Sequence, residues 1–188
     1  PEVGTLALTG VGVAFPLITI ITAFANLCGT GGASLTSIAR GEGNVEKARL
    51  IEETAFTMLL IMGGVLTGVM YAFAPALLEL LGGEAQTLPY AVAYFRIYVM
   101  GSVPVLISLG MNPFINAQGF AKTGMLTVVI GAVLNTVLDP LMIYTMDMGV
   151  QGAALATIIS QAVSALWVVA FLCGKRPILP IRRLRIHM

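Results

Sequence analysis

Charge is scarce in this chain. Only 10% of its 188 residues are charged, where a soluble domain carries about 25%. Ten Lys and Arg against nine Asp and Glu leave a net charge of +1, so there is no broad basic field of the kind a nucleic-acid partner requires. Histidine occurs once and cysteine twice. That leaves no metal-ligand spacing and no Ser–His or Cys–His arrangement for nucleophilic catalysis, and neither an enzyme nor a cofactor is expected. Cys28 and Cys173 sit within or at the end of separate apolar stretches and read as small helix-packing residues. His187, in the tail, has no partner by spacing and is expected in solvent. No signal peptide is visible, and the chain opens at Pro1 without an initiator methionine, which suggests part of a longer protein.

What the chain has in abundance is apolar surface. Hydrophobic residues make up 57% of it and the mean hydropathy is +0.93, values that place it in a lipid bilayer. The expected fold class is all-α, a polytopic bundle of five membrane spans within residues 1–174. The spans fall at about 6–39, 46–81, 88–119, 123–145 and 150–173. Residues 175–188, GKRPILPIRRLRIHM from Gly174 onward, form a basic segment.

The first span carries no charge from Val3 to Ala39. As one helix it would run about 50 Å, more than the ~30 Å hydrocarbon core requires. Pro16 is expected to kink it, and Gly29, Gly31 and Gly32 to serve as close-packing points or a second bend. GTGGAS at 29–34 has a faint likeness to a phosphate loop, but no strand precedes it and no lysine follows, so helix packing is the better reading. Thr19, Thr22 and Asn26 share one face, where they either line a polar cavity or bond to the backbone. Asn44 is an expected N-cap for the second helix, whose start (Glu46, Lys47, Arg49, Glu52, Glu53) is amphipathic before it turns apolar at Ala55. Pro75 is expected to bend the outer end. The third span holds Pro104 and Pro113. Its Arg96 reads as a snorkelling side chain among the interfacial Tyr90, Tyr94 and Tyr98, with a pore-facing or carboxylate-paired role as the alternative. In the fifth, Gly152, Ala156, Ser160 and Ser164 recur every four residues, a stripe that permits close helix approach.

One stretch, Gly131–Thr157, concentrates the chemistry. Asp139 is the sole acid deep in an apolar span, where a carboxylate costs about 2.5–3.5 kcal/mol on insertion scales and by default marks an ion or proton site. Asn135, four residues earlier, shares its helix face. Pro140 withholds an N–H and disturbs the carbonyl of Thr136, so a bend beside the carboxylate is expected. Thr157 follows Met148 by the same interval at which Asp139 precedes it, which in an antiparallel hairpin puts both at one depth. These oxygens suit a hard cation such as sodium, by analogy with calcium and magnesium, or a proton. Gln161, one turn beyond Thr157, is a further candidate for the cavity wall, with Asn26, Thr22 and Arg96.

Basic residues alternate between connections. Arg40, Lys47 and Arg49 flank the first, Lys122 lies in the third, and Lys175, Arg176, Arg182, Arg183 and Arg185 follow the last span, while the second and fourth have none. The positive-inside rule then places the N-terminus outside and the basic tail in the cytoplasm, in a cell inner membrane, with Asp139 and Thr157 in the outer half.

The run NTVLDPLMIYTMDMGVQGAALATIISQ resembles the corresponding part of the multidrug and toxic compound extrusion (MATE) family, in the style of its bacterial DinF-like branch. LALTGVGVAFPLITIITAF followed by ARGEGNVEKA resembles that family's second helix and the loop after it. The resemblance implies spans two to six of the N-terminal lobe of a twelve-span transporter, whose first helix and C-terminal lobe would belong to the same polypeptide. It implies that Asn135, Asp139 and Thr157 bind a coupling H⁺ or Na⁺ while small organic, often cationic, substrates are exported across the bilayer. Two alternatives stand beside it: a lipid-linked saccharide flippase of the same superfamily, and a non-transporting membrane scaffold.

Overall fold

A computed structural model describes residues 2–181; Arg182, Arg183, Arg185 and His187 of the tail lie outside them. Among the described residues every regular element is a helix: α1 (Glu2–Gly41), α2 (Val45–Ala72), α3 (Ala74–Leu80), α4 (Leu88–Met100), α5 (Ser102–Ala117), α6 (Ala121–Pro140), a π-helical turn (Leu141–Thr145) and α7 (Gly149–Leu172). α1, α2, α6 with its π-turn, and α7 are each long and apolar enough to cross a membrane, and α4 and α5, bent by 56° at their break, meet the same test only when taken together. The result is an all-α membrane helix bundle.

The bend in the third span does not fall at either proline. It falls at Gly101, between α4 and α5, where a Cβ would stand 2.2 Å from Ile158 Cγ2 of α7. Pro104 sits in the first turn of α5, where a missing N–H costs little; the missing side chain at Gly101 is what lets α7 approach. In the second span the break comes at Phe73, and Pro75 then occupies the first turn of the short α3. α1 runs unbroken through Pro16. Its glycines are packing points: a Cβ on Gly29 would lie 2.6 Å from the Gly110 carbonyl oxygen, and one on Gly32 would lie 2.5 Å from Phe114 Cζ, whereas Gly31 faces open space.

Other expectations change once the helices pack. Tyr94 and Tyr98 are buried, their rings stacked at 6.2 Å, and so form part of the core rather than an interfacial belt. Arg96 is exposed and lies over the Tyr71 ring at 5.3 Å, a cation–π contact with α2. Cys28 is half-buried beside Met62, as a packing residue would be, but Cys173 is exposed at the end of α7. Asn44 caps α2 through its side-chain oxygen, which accepts from the Lys47 N–H at 2.9 Å.

The amphipathic start of α2 turns part of its charge inward. Glu52 is 1% exposed, and both of its carboxylate oxygens accept from Gln118 Nε2 at 3.1 Å. The Gln118 carbonyl in turn accepts the backbone N–H of Leu179 at 2.9 Å. Arg40 Nη1 donates to the Ala117 carbonyl at 2.6 Å, closing α1 onto the end of α5. Leu179 is buried against Ala39 and Ala48, and Ile181 N–H reaches the Leu172 carbonyl. The first residues of the basic segment are thus strapped across the end of the bundle. Gln118→Leu strands the buried carboxylate and frees the strap. It should lower stability by about 2–3 kcal/mol, seen as a drop in detergent melting temperature; an unchanged melt would show that the strap contributes nothing.

Candidate functional site

The hairpin of α6 and α7 depends on small residues. A Cβ on Gly152 would meet the Met142 carbonyl at 2.8 Å, and one on Gly131 would meet Ser164 Oγ at 2.8 Å. Gly152, Ala156, Ser160 and Ser164 are all buried, and Ser164 Oγ donates to the Thr127 carbonyl across the interface at 3.1 Å. The stripe therefore works as a seam, because backbones this close leave no room for larger side chains. At the turn between α6 and α7, Asp147 (φ 53°) and Gly149 (φ 54°) both adopt left-handed backbone to reverse the chain.

This close approach sets the register of the polar groups. Asn135 Nδ2 donates to Asp139 Oδ1 at 3.2 Å and lies 3.5 Å from Thr157 Oγ1. The Thr157 hydroxyl donates its own proton to the Ala153 carbonyl at 2.9 Å, so its lone pairs face the amide. Asn135, Asp139 and Thr157 thus meet in space, each half-buried. Beyond Pro140 the helix widens: Met146 N–H bonds the Leu141 carbonyl, five residues back, at 3.0 Å. α6 runs on through Pro140 into this π-turn, so the departure from regular α-helix follows the proline instead of breaking the helix at it.

A cavity of about 250 Å³ opens below the triad between α5, α6 and α7. Asn135 and Thr157 form one end, and Ser108, Asn112, Thr127, Ser160, Gln161 and Ser164 supply polar wall. Ser108 donates to the Gln161 side-chain oxygen. Asn112 Oδ1 is buried and has no hydrogen-bond partner. Gln161 lines this cavity. Thr22, Asn26 and Arg96 are not part of this wall. Thr22 bonds to the Thr19 carbonyl and Thr19 to that of Phe15, so these threonines satisfy the backbone, and Asn26 is exposed on α1. Ser108 and Asn112 were missed. Their signal was a polar stripe, Ser108, Asn112 and Asn116 at intervals of four in an otherwise apolar helix.

No group of three His, Cys, Asp or Glu side chains that could hold a metal occurs among the described residues. A sodium ion would have to rely on one carboxylate plus neutral oxygens. Here the Asn135 amide turns its nitrogen toward both Asp139 and Thr157. That arrangement suits an ionised carboxylate, whereas a cation would need the amide rotated to present its oxygen.

A bundle of bilayer-length helices around a polar cavity, with a carboxylate one residue before a proline and a π-turn, defines a polytopic membrane protein with an intramembrane polar site. The MatE family model matches residues 2–141, and the chain belongs to that family. Among curated relatives, the multidrug export protein MepA of Staphylococcus saprophyticus is 27% identical over 92% of this chain and 38% of its own length. An FAD transporter of Shewanella oneidensis is 27% identical over 87% of this chain and 37% of its own. A crystal structure of MATE in the bent conformation superposes with a TM-score of 0.91 at 30% identity, covering 100% of this chain and 42% of that one. A transporter of the MOP superfamily from Pyrococcus furiosus, described as having a binding pocket of reversed polarity, gives 0.90 at 31% identity over 98% and 41%. The chain thus spans about two fifths of the length of the proteins it matches.

Proposed function

We propose that this chain forms most of the N-terminal lobe of a secondary active exporter that moves small organic, often cationic, compounds out of the cell by antiport with H⁺ or Na⁺. The observation that carries the reading is the Asn135 amide spanning Asp139 and Thr157 at the mouth of a polar cavity. An intramembrane carboxylate held this way can exist charged or neutralised, and a coupling site needs both states. A further helix and a second lobe of the same polypeptide would complete the substrate path. The cavity wall contains no Lys or Arg, which favours cationic or neutral cargo over the anionic headgroup of a lipid-linked saccharide. A scaffold would gain nothing evident from an intramembrane acid. The lobe matches a structure described as inward-facing with a TM-score of 0.90 and one described as outward-facing with 0.88. Near-equal scores fit a lobe that moves as one body during alternating access. Substrate efflux from vesicles under imposed pH and sodium gradients tests the proposal.

The orientation belongs to the same proposal: N-terminus outside, basic tail in the cytoplasm. Glu42, Glu84, Lys122 and Asp147 are all exposed. In a background lacking Cys28 and Cys173, single cysteines at Glu84 and Asp147 should react with an impermeant maleimide added to intact cells. Those at Glu42 and Lys122 should react only after permeabilisation. Labelling at Glu42 in intact cells would reverse the topology.

A further inference from the structure

A second cavity lies at the opposite end of the α6–α7 hairpin from Asp139. It holds about 580 Å³, with Leu126, Trp167 and Ala170 along its length and Phe120 and Phe171 towards its end. The two phenyl rings meet edge to face at 5.1 Å, and Lys175 and Arg176 also line it. Lys175 is shared with a neighbouring cavity of about 540 Å³ that Arg49 also lines. Arg49 Nε is buried without a hydrogen-bond partner. Neither lining includes an Asp or Glu. An apolar slot running along two membrane helices and ending in Lys175 and Arg176, with no acid in its lining, calls for one molecule with both an acyl chain and an anionic head. A soluble anion would satisfy the cations and leave the slot unfilled; a zwitterionic lipid would fill the slot and bring no net charge to the cations.

We propose that this groove binds an anionic phospholipid, its acyl chain against Leu126, Trp167 and Ala170 and its phosphate at Lys175 and Arg176, with Arg49 on the far side of Lys175. The choice of leaflet, the cytoplasmic one, rests on the orientation proposed above; the site itself does not. Basic residues at the end of membrane helices attract anionic headgroups, each contributing about 1 kcal/mol, or about fivefold. Lys175 and Arg176 together therefore imply a preference of about 25-fold over a zwitterionic lipid.

Trp167 is the chain's single tryptophan and lines the groove, so it reports occupancy directly. The protein, with Trp167 as its only tryptophan, would be placed in nanodiscs of phosphatidylcholine doped with brominated phosphatidylglycerol or brominated phosphatidylcholine. Both faces of a nanodisc offer the same lipids, so the result is independent of orientation, which the cysteine labelling tests separately. Brominated phosphatidylglycerol should quench Trp167 at a mole fraction about 25-fold lower than brominated phosphatidylcholine. K175Q/R176Q and K175E/R176E, both at exposed positions, should lose that preference, and Lys47→Glu, on the exposed start of α2, should keep it. Equal quenching by the two lipids would overturn the proposal, leaving an ordinary annular contact. Loss of the preference on adding inorganic phosphate at matched ionic strength would also overturn it, in favour of a soluble anion. Absence of quenching by either lipid would mean that protein covers the groove, and would overturn it as well.

Discussion

Asp139→Asn, made in the full-length protein, is expected under the exporter proposal to abolish gradient-driven export while leaving membrane insertion and protein level unchanged. Asparagine keeps the volume of aspartate and can still bond Asn135, whose amide now donates to Asp139 at 3.2 Å. The substitution removes only the charge, and therefore only the ability to bind and release a proton or to attract a cation. Coupling requires that the cation bind two conformations with different affinity. A permanently neutral side chain cannot supply that difference, however well it packs. Efflux from vesicles with imposed pH and sodium gradients should fall to the level of protein-free vesicles. If Asp139 merely ties α6 to its neighbours, the asparagine variant would retain coupled efflux with its normal ion dependence, and the proposed role would be lost. Thr157→Val separates the two ions. The hydroxyl lies 3.5 Å from the Asn135 amide, and as an oxygen ligand it matters for sodium far more than for a proton on Asp139. A reduced response to the sodium gradient with the pH response intact would assign sodium; no change in either would favour the proton.

Gly29→Leu is expected to prevent the bundle from assembling. α1 and α5 cross with their backbones in contact at this point: a Cβ on Gly29 would stand 2.6 Å from the Gly110 carbonyl oxygen and 3.0 Å from its Cα. The far side of that contact is equally tight, since a Cβ on Gly110 would lie 2.7 Å from Leu59 Cδ1. The obstacle at Gly29 is backbone, which cannot swing aside as a side-chain tip would. Even alanine there should cost about 1–3 kcal/mol, and leucine should drive the helices apart and yield degraded or aggregated protein. Gly31 is the control. It has nothing within 4 Å of its would-be Cβ, so Gly31→Ala should be neutral or stabilising by up to about 1 kcal/mol through helix propensity. Thermal unfolding of the purified variants decides the matter. Equal melting temperatures for Gly29→Ala and Gly31→Ala would refute the close crossing.

The sequence by itself determined the class of this protein and the short-range part of its chemistry. Apolar runs of bilayer length set the helices, because a backbone in lipid must satisfy its hydrogen bonds within each segment. The interval of four between Asn135 and Asp139, and the equal spacing about Met148, held in space because helix rise and pitch are constant over such short distances. The small-residue stripe from Gly152 to Ser164 was legible for the same reason. What only the tertiary structure decided lies in contacts between helices distant in sequence. Gly101, rather than Pro104 or Pro113, carries the bend, because Ile158 of α7 occupies the space that a side chain there would take. Tyr94 and Tyr98 face the core, and Arg96 faces outward onto Tyr71, because the orientation of α4 about its axis is set by its neighbours and not by its own composition. Glu52, read from sequence as part of a charged helix start, is buried because Gln118, sixty-six residues away, satisfies it. Ser108 and Asn112 became part of the cavity only when α5 was laid against α7. A helix's own periodicity marks its polar faces, but which neighbour each face meets is settled by where the other helices fit.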